Sequence, residues 1–167
     1  MPTPSTPAEP NPMDSGPYRS IPLAAVILGF AVVAIYWSSL PDTIPIHYNL
    51  RGEADGYGSR WLLWLVPAIN FGIFLLARVS MSPEWQKFNV PLVPETEENA
   101  ERQQKINQSL AAQVRLITCV LLAYLSYATV MATINGRNQL DMGVFWGLLG
   151  LMFAVIAVQL YRSVKAK

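Results

Sequence analysis

Four stretches of the chain contain no charged side chain: residues 21–40 (IPLAAVILGFAVVAIYWSSL), 61–77 (WLLWLVPAINFGIFLLA), 116–136 (LITCVLLAYLSYATVMATING) and 142–161 (MGVFWGLLGLMFAVIAVQLY). None shows the polar stripe that a helix of a soluble bundle keeps on its outer face. At ~1.5 Å per residue, about 20 residues cover a hydrocarbon core of ~30 Å. The pattern predicts an all-α fold: a bundle of four transmembrane helices at about 21–40, 61–78, 95–135 and 142–161, with 21–161 as the membrane domain.

The polar segments between the runs shape the rest. Residues 1–20 (MPTPSTPAEPNPMDSGPYRS) are rich in Pro, Ser and Thr and are expected to form a disordered leader. The leader lacks a basic start and no A-x-A site follows the first run, so a retained helix is expected instead of a cleaved signal peptide. Pro83, Pro91 and Pro94 predict an irregular connection after the second helix. From residue 95 the chain turns to good helix formers, with acids first and with Glu98/Arg102 and Glu101/Lys105 in favourable i,i+4 order. One long helix over 95–135, starting outside the membrane, is the expectation. The short 135–141 loop (NGRNQLD) makes the last two helices antiparallel neighbours. Small residues four apart (Ala25/Gly29, Ala128/Ala132, Gly143/Gly147) suit close helix approach in lipid.

Charge sets the orientation and removes some functions. Hydrophobic residues make up 52% and charged residues 14%, with a formal net charge of +1, so no basic field invites nucleic acid. Arg19, Arg78, Lys87, Arg102, Lys105, Arg115, Arg162, Lys165 and Lys167 fall on one side of the predicted bundle; only Arg51, Arg60 and Arg137 fall on the other. The positive-inside bias predicts both termini, including the 162–167 tail, in the cytoplasm of a multi-pass plasma-membrane protein. The 41–60 loop is then extracytoplasmic.

Chemistry within the spans is sparse. Asn70, three residues after Pro67, is expected to re-satisfy a carbonyl freed by the proline, with a contact to another helix as the alternative. Cys119 is expected to be a packing residue. No H-E-x-x-H, G-x-S-x-G or P-loop occurs, and the lone His47 and Cys119 are far apart in sequence, so neither an enzyme nor a cofactor is expected.

The stretch LPDTIPIHYNLRGEADGYGS (40–59) holds three of the eleven acids and the only histidine. Pro41 ends the first helix. Pro45 pushes Ile44 out of the helical region, so 44–48 should be extended, with Ile44, Ile46 and Tyr48 on one face and His47 and Asn49 on the other. Gly52 and Gly56 permit turns, and Tyr57, Trp61 and Trp64 mark the return to headgroup depth. The stretch is expected to be an ordered cap, with Pro41, Pro45, Gly52 and Gly56 shaping it. Asp42, His47, Asn49 and Asp55 are candidate ligand-binding residues, with a structural hydrogen-bond network that ties the cap together as the other reading of the same polar groups. They fall short of the several His or Cys a zinc site uses, and the Glu53–Asp55 run lacks the later bidentate glutamate of a calcium loop, so no metal is expected.

In Pro41, Asp42, Ile44, Pro45, His47, Tyr48, Asn49, Gly52, Asp55, Gly56, Ser59 and Arg60 the stretch resembles the signature of a bacterial membrane domain of unknown function. That domain also forms the N-terminal part of SdpI-type immunity proteins. PETEENAERQ (94–103) is similar to that family's cytoplasmic helix start. The resemblance implies binding or sensing of a ligand or peptide at the cell envelope, in immunity or signal perception; SdpI-type proteins protect against a secreted killing peptide and sequester a repressor. The SdpI C-terminal domain is not seen, and Arg60 stands where a lysine is common. The alternative is an accessory subunit of another membrane complex, docking through the 95–110 helix. Expected partners are the lipid bilayer and a peptide or protein.

Overall fold

The computed structural model describes residues 16–79 and 97–165; the rest of the leader, the proline-containing connection and the last two residues lie outside the described part, as do the side chains of Glu98 and Glu101 in their expected ion pairs. Its elements are α1 (Pro17–Tyr36) with a 3-10 turn (Trp37–Ser39), β1 (Thr43–Tyr48), β2 (Ala54–Ser59), a 3-10 turn (Arg60–Trp64) leading into α2 (Leu65–Val79), α3 (Glu97–Ile134) and α4 (Met142–Lys165). Four of these helical segments are long and apolar enough to cross a membrane. The expectation of an all-α chain needs correction, because residues 43–59 form a β-hairpin.

α1 begins at Pro17, so residues 17–20 of the expected leader are helical. Proline suits a first helical position, where its missing N–H would have no partner anyway. Pro22 lies inside the helix and withholds the N–H that would otherwise reach the Tyr18 carbonyl four residues back. The guanidinium of Arg115, on α3, supplies that bond instead: its Nη2 donates to Tyr18 O over 2.5 Å. Arg115 is only 3% exposed, and its charge lies over the Phe74 ring of α2. A proline in one helix thus accounts for a buried arginine in another.

α3 is the hub, packing against α1, α2 and α4, whereas α4 makes its main contacts with α3 alone. The helices therefore form a three-helix core with α4 laid against one side. Gly29 lets α1 approach α2, with Pro67 opposite it. Asn70 is fully buried and its Nδ2 donates to the Cys119 carbonyl of α3 over 3.1 Å. This corrects the expected repair within α2. Pro67 sits just after the Arg60–Trp64 turn, and the Asn70 side chain is bonded across to α3 and not back along its own helix. Cys119 is fully buried, as a packing residue should be.

The α3–α4 seam is polar at the end away from the hairpin. Gln159 Nε2 donates to Gln113 Oε1 (3.0 Å) and Ser109 Oγ (3.3 Å), and Gln103 and Ser163 exchange two further bonds. Gln159 is the one buried residue of α4, and Gly147 and Gly150 have open space where a Cβ would lie. The Gly143/Gly147 pair therefore serves no contact that brings α4 close to another described helix.

Candidate functional site

The hairpin closes the end of the helix core. Ile44 is 1% exposed and joins Val33, Leu40, Leu63 and Val130 in one apolar cluster, flanked by Trp37 and Trp64. Burying an isoleucine at a water-facing end is worth about 1.5–3 kcal/mol. β1 and β2 pair antiparallel, Thr43 with Ser59, Ile44 with Gly58 and Pro45 with Tyr57. The register then shifts, with His47 opposite Gly56, so Ile46 is an extra residue on β1. This bulge overturns the expected alternation. Ile44 and Pro45 are both buried, while Ile46 is exposed and lies over Gly58 and Leu62.

The turn is built around Asn49. Its Oδ1 accepts the amides of Arg51 (2.9 Å) and Glu53 (3.1 Å), and its Nδ2 donates to Glu53 Oε2 (2.8 Å). Such an arrangement is what an Asx turn needs. It engages both acceptor directions of Oδ1 and one of the two Nδ2 hydrogens within the turn. Gly52 has φ 82°, and its place is hemmed in by the Leu140 carbonyl and Met142.

The α3–α4 connection adds a short third rung to the hairpin. Ala54 N donates to Asn138 O and Leu140 N to Gly52 O, each over 2.8 Å, and Glu53 bridges antiparallel to Gln139. The expectation from sequence treated the two loops as separate.

A second tie sits at the neck. Arg60 Nη1 donates to Leu40 O (2.9 Å), its Nη2 lies 3.3 Å from Asp42 Oδ1, and its guanidinium stands 5.0 Å over the Trp37 ring. Trp37 in turn packs on Trp61 and Trp64. Arg60 was legible only as a place in a signature; the aromatic residues flanking it were the available signal for this clasp.

Of the four candidate ligand-binding residues, the structure brings two together. His47 Nδ1 and Asp55 Oδ1 lie 2.5 Å apart, with their side chains 72% and 46% exposed. Gly56 makes room for them, since a Cβ there would come within 2.9 Å of the His47 Cβ. Asn49 belongs to the turn, and Asp42 to the Arg60 clasp at the opposite end of the hairpin. Tyr48 reaches inward, where its hydroxyl is buried without a well-formed hydrogen bond among the described residues. Burial pushes the Tyr48 phenol above its usual range; the nearby Thr129 hydroxyl opposes this without being placed to bond well. Among the described residues no cluster of three or more His, Cys, Asp or Glu is placed to hold a metal ion.

Residues 24–71 match a domain of unknown function, DUF1648. The match takes in most of α1, the whole hairpin and the start of α2, under a third of the chain. An uncharacterized protein from Archaeoglobus fulgidus is 38% identical over 47 residues, which are 28% of this chain and 26% of that protein. The chain therefore spans about a quarter of that relative's length. No solved structure matches. The protein is a multi-pass membrane protein in which residues 24–71 are similar to that domain, and the hairpin lies inside the matched region.

Proposed function

We propose that the protein binds or senses a ligand or peptide at the cell envelope, without catalysis, through the outward face of the hairpin. One observation carries this reading. The bonds that fasten the hairpin are made by Asn49, Gly52, Ala54, Leu140 and Arg60, while His47 and Asp55 pair only with each other on the exposed face. An exposed side-chain pair of this kind contributes at most ~0–1 kcal/mol to stability, too little to explain it as a fastening. In this reading the hairpin is extracytoplasmic, both termini are cytoplasmic, and the membrane is the plasma membrane. Immunity to a secreted peptide, as in the SdpI-type proteins the stretch resembles, is one form the role takes. The accessory-subunit reading is less favoured, since the Gln103–Ser163 bonds engage the proposed docking arm with α4.

The test separates function from stability. His47→Ala and Asp55→Asn should abolish protection against the secreted peptides of neighbouring cells, at unchanged membrane abundance and melting temperature. Asn49→Ala and Ile44→Ala should lower both. Loss of stability in step with loss of protection in all four variants would sink the proposal. Single cysteines at Leu50 and Asn138, in a Cys119→Ser background, should react with an impermeant maleimide from outside the cell, and the reverse would refute the orientation.

A further inference from the structure

Three basic residues stand at the hairpin end: Arg51, Arg60 and Arg137. Arg60 is spent on the neck clasp. The other two line one open groove of about 560 Å³ between the hairpin tip and the α3–α4 connection, together with Asn138, Asp141 and Met142. Among the described residues neither forms an ion pair; the pairs at this end are His47–Asp55 and Arg60–Asp42. The one acid in the groove's lining, Asp141, keeps its charge while its Oδ1 accepts Gly143 N at the start of α4 over 2.9 Å, so the lining carries Arg51 and Arg137 against a single carboxylate. Glu53, the neighbouring acid, is held by Asn49.

The backbone under both arginines is fixed. Arg51 N is bonded to Asn49 Oδ1 and its carbonyl accepts from Gln139 Nε2, while Arg137 N donates to Ala132 O over 2.8 Å. Two guanidiniums are thus brought to one groove on pre-set main chain. Such a pair complements a phosphate, whose oxygens accept paired N–H bonds in the guanidinium plane.

Depth identifies the source of that phosphate. Met142, which lines the groove, is the first residue of α4, so the groove lies where a span meets the interface. Leu50, beside Arg51, is 79% exposed, and Val144 and Trp146 are exposed on the first turns of α4. Apolar surface therefore adjoins the cationic groove. We propose that Arg51 and Arg137 form a binding site for the phosphate of an anionic glycerophospholipid in the leaflet at the hairpin end. This site is independent of the His47–Asp55 face and of the role proposed for it.

The test uses the full chain in neutral detergent, given equal amounts of phosphatidylglycerol and phosphatidylcholine with the same acyl chains, with bound lipid counted by native mass spectrometry. Phosphatidylglycerol should be retained over phosphatidylcholine by on the order of ten-fold. The Arg51→Ala/Arg137→Ala double variant should bring the ratio near unity, and Arg162→Ala/Lys165→Ala, at the opposite end, should leave it unchanged. No preference in the unmodified protein overturns the proposal whether or not the variants fold. So does a preference lost with Arg162 and Lys165 instead. Soluble glycerol 3-phosphate at millimolar concentration should fail to displace the lipid; full displacement would assign the groove to a soluble phosphate and overturn the lipid assignment.

Discussion

Replacing Gly52 by alanine tests how the hairpin is fastened. Gly52 adopts φ 82°, a left-handed conformation that costs an L-residue about 1–2 kcal/mol. The added Cβ also meets the Leu140 carbonyl, which is backbone, and would lie 2.7 Å from Met142 Cγ. Relief requires the 137–141 connection to move away, which breaks the Ala54–Asn138 and Leu140–Gly52 bonds. Each bond is worth ~0.5–1.5 kcal/mol net, and the stiffer unfolded chain returns ~0.4–1 kcal/mol. The expected net loss is about 2–4 kcal/mol, confined to the junction of the hairpin and the α3–α4 connection. Hydrogen exchange in detergent should show it at the Ala54 and Leu140 amides, accelerated roughly 30- to 1,000-fold. Gly147→Ala, with open space around it, is the control and should leave those amides unchanged. Unaltered protection of Ala54 and Leu140 in Gly52→Ala would refute the account of the junction.

Arg115→Ala should cost ~1.5–3 kcal/mol in the parent but less in a Pro22→Ala background, because alanine 22 restores a donor to the Tyr18 carbonyl; additive losses in a detergent melting cycle would argue against that link. Arg60→Ala should lower the melting temperature and expose Trp37 to aqueous quenchers. Arg60→Lys should recover only part of the loss, since an ammonium cannot reproduce both the Leu40 bond and the ring contact; full recovery would reduce the clasp to simple charge. Tyr48→Phe should be neutral or slightly stabilising at neutral pH, because it removes a buried hydroxyl that lacks a good partner. With its folded pKa raised by burial, Tyr48 contributes stability that is full below the ordinary phenol value near ~10 and is lost as pH climbs toward the folded value. The variant should therefore lose less stability than the parent in alkali, and identical alkaline profiles would contradict the burial of that phenol.

The four spans were legible because lipid demands uninterrupted apolar runs, and that demand is local in sequence. Their arrangement was not. A helix touching one neighbour and a helix touching three read alike when lipid covers the remainder, so the lateral place of α4 left no hydropathy trace. The extended character of 44–48 followed from Pro45, but strand pairing depends on the partner segment, and the bulge at Ile46 depends on the register of β2. Asn49 and Gly52 were marked as shaping or binding residues by type alone. The bonds of Asn49 within its own turn, and the pairing of Gly52 and Ala54 with Leu140 and Asn138 over eighty residues away, separate the residues that fasten the hairpin from those left facing outward.

The late place of the third rung in the chain carries a consequence for biogenesis. During synthesis α1, the hairpin, α2 and α3 all leave the ribosome before α4 does, and the three-helix core can assemble from them. Residues 138–140 come next, but they are held against Gly52 and Ala54 only when the α3–α4 turn has formed. The hairpin is made early and completed late. A nascent chain halted before residue 138 therefore carries the Ile44 plug and the neck clasp without the rung that fastens Gly52. Junction protection then marks the arrival of the α3–α4 connection at the hairpin, and a membrane quality-control protease meeting that unfastened edge would be reading its absence.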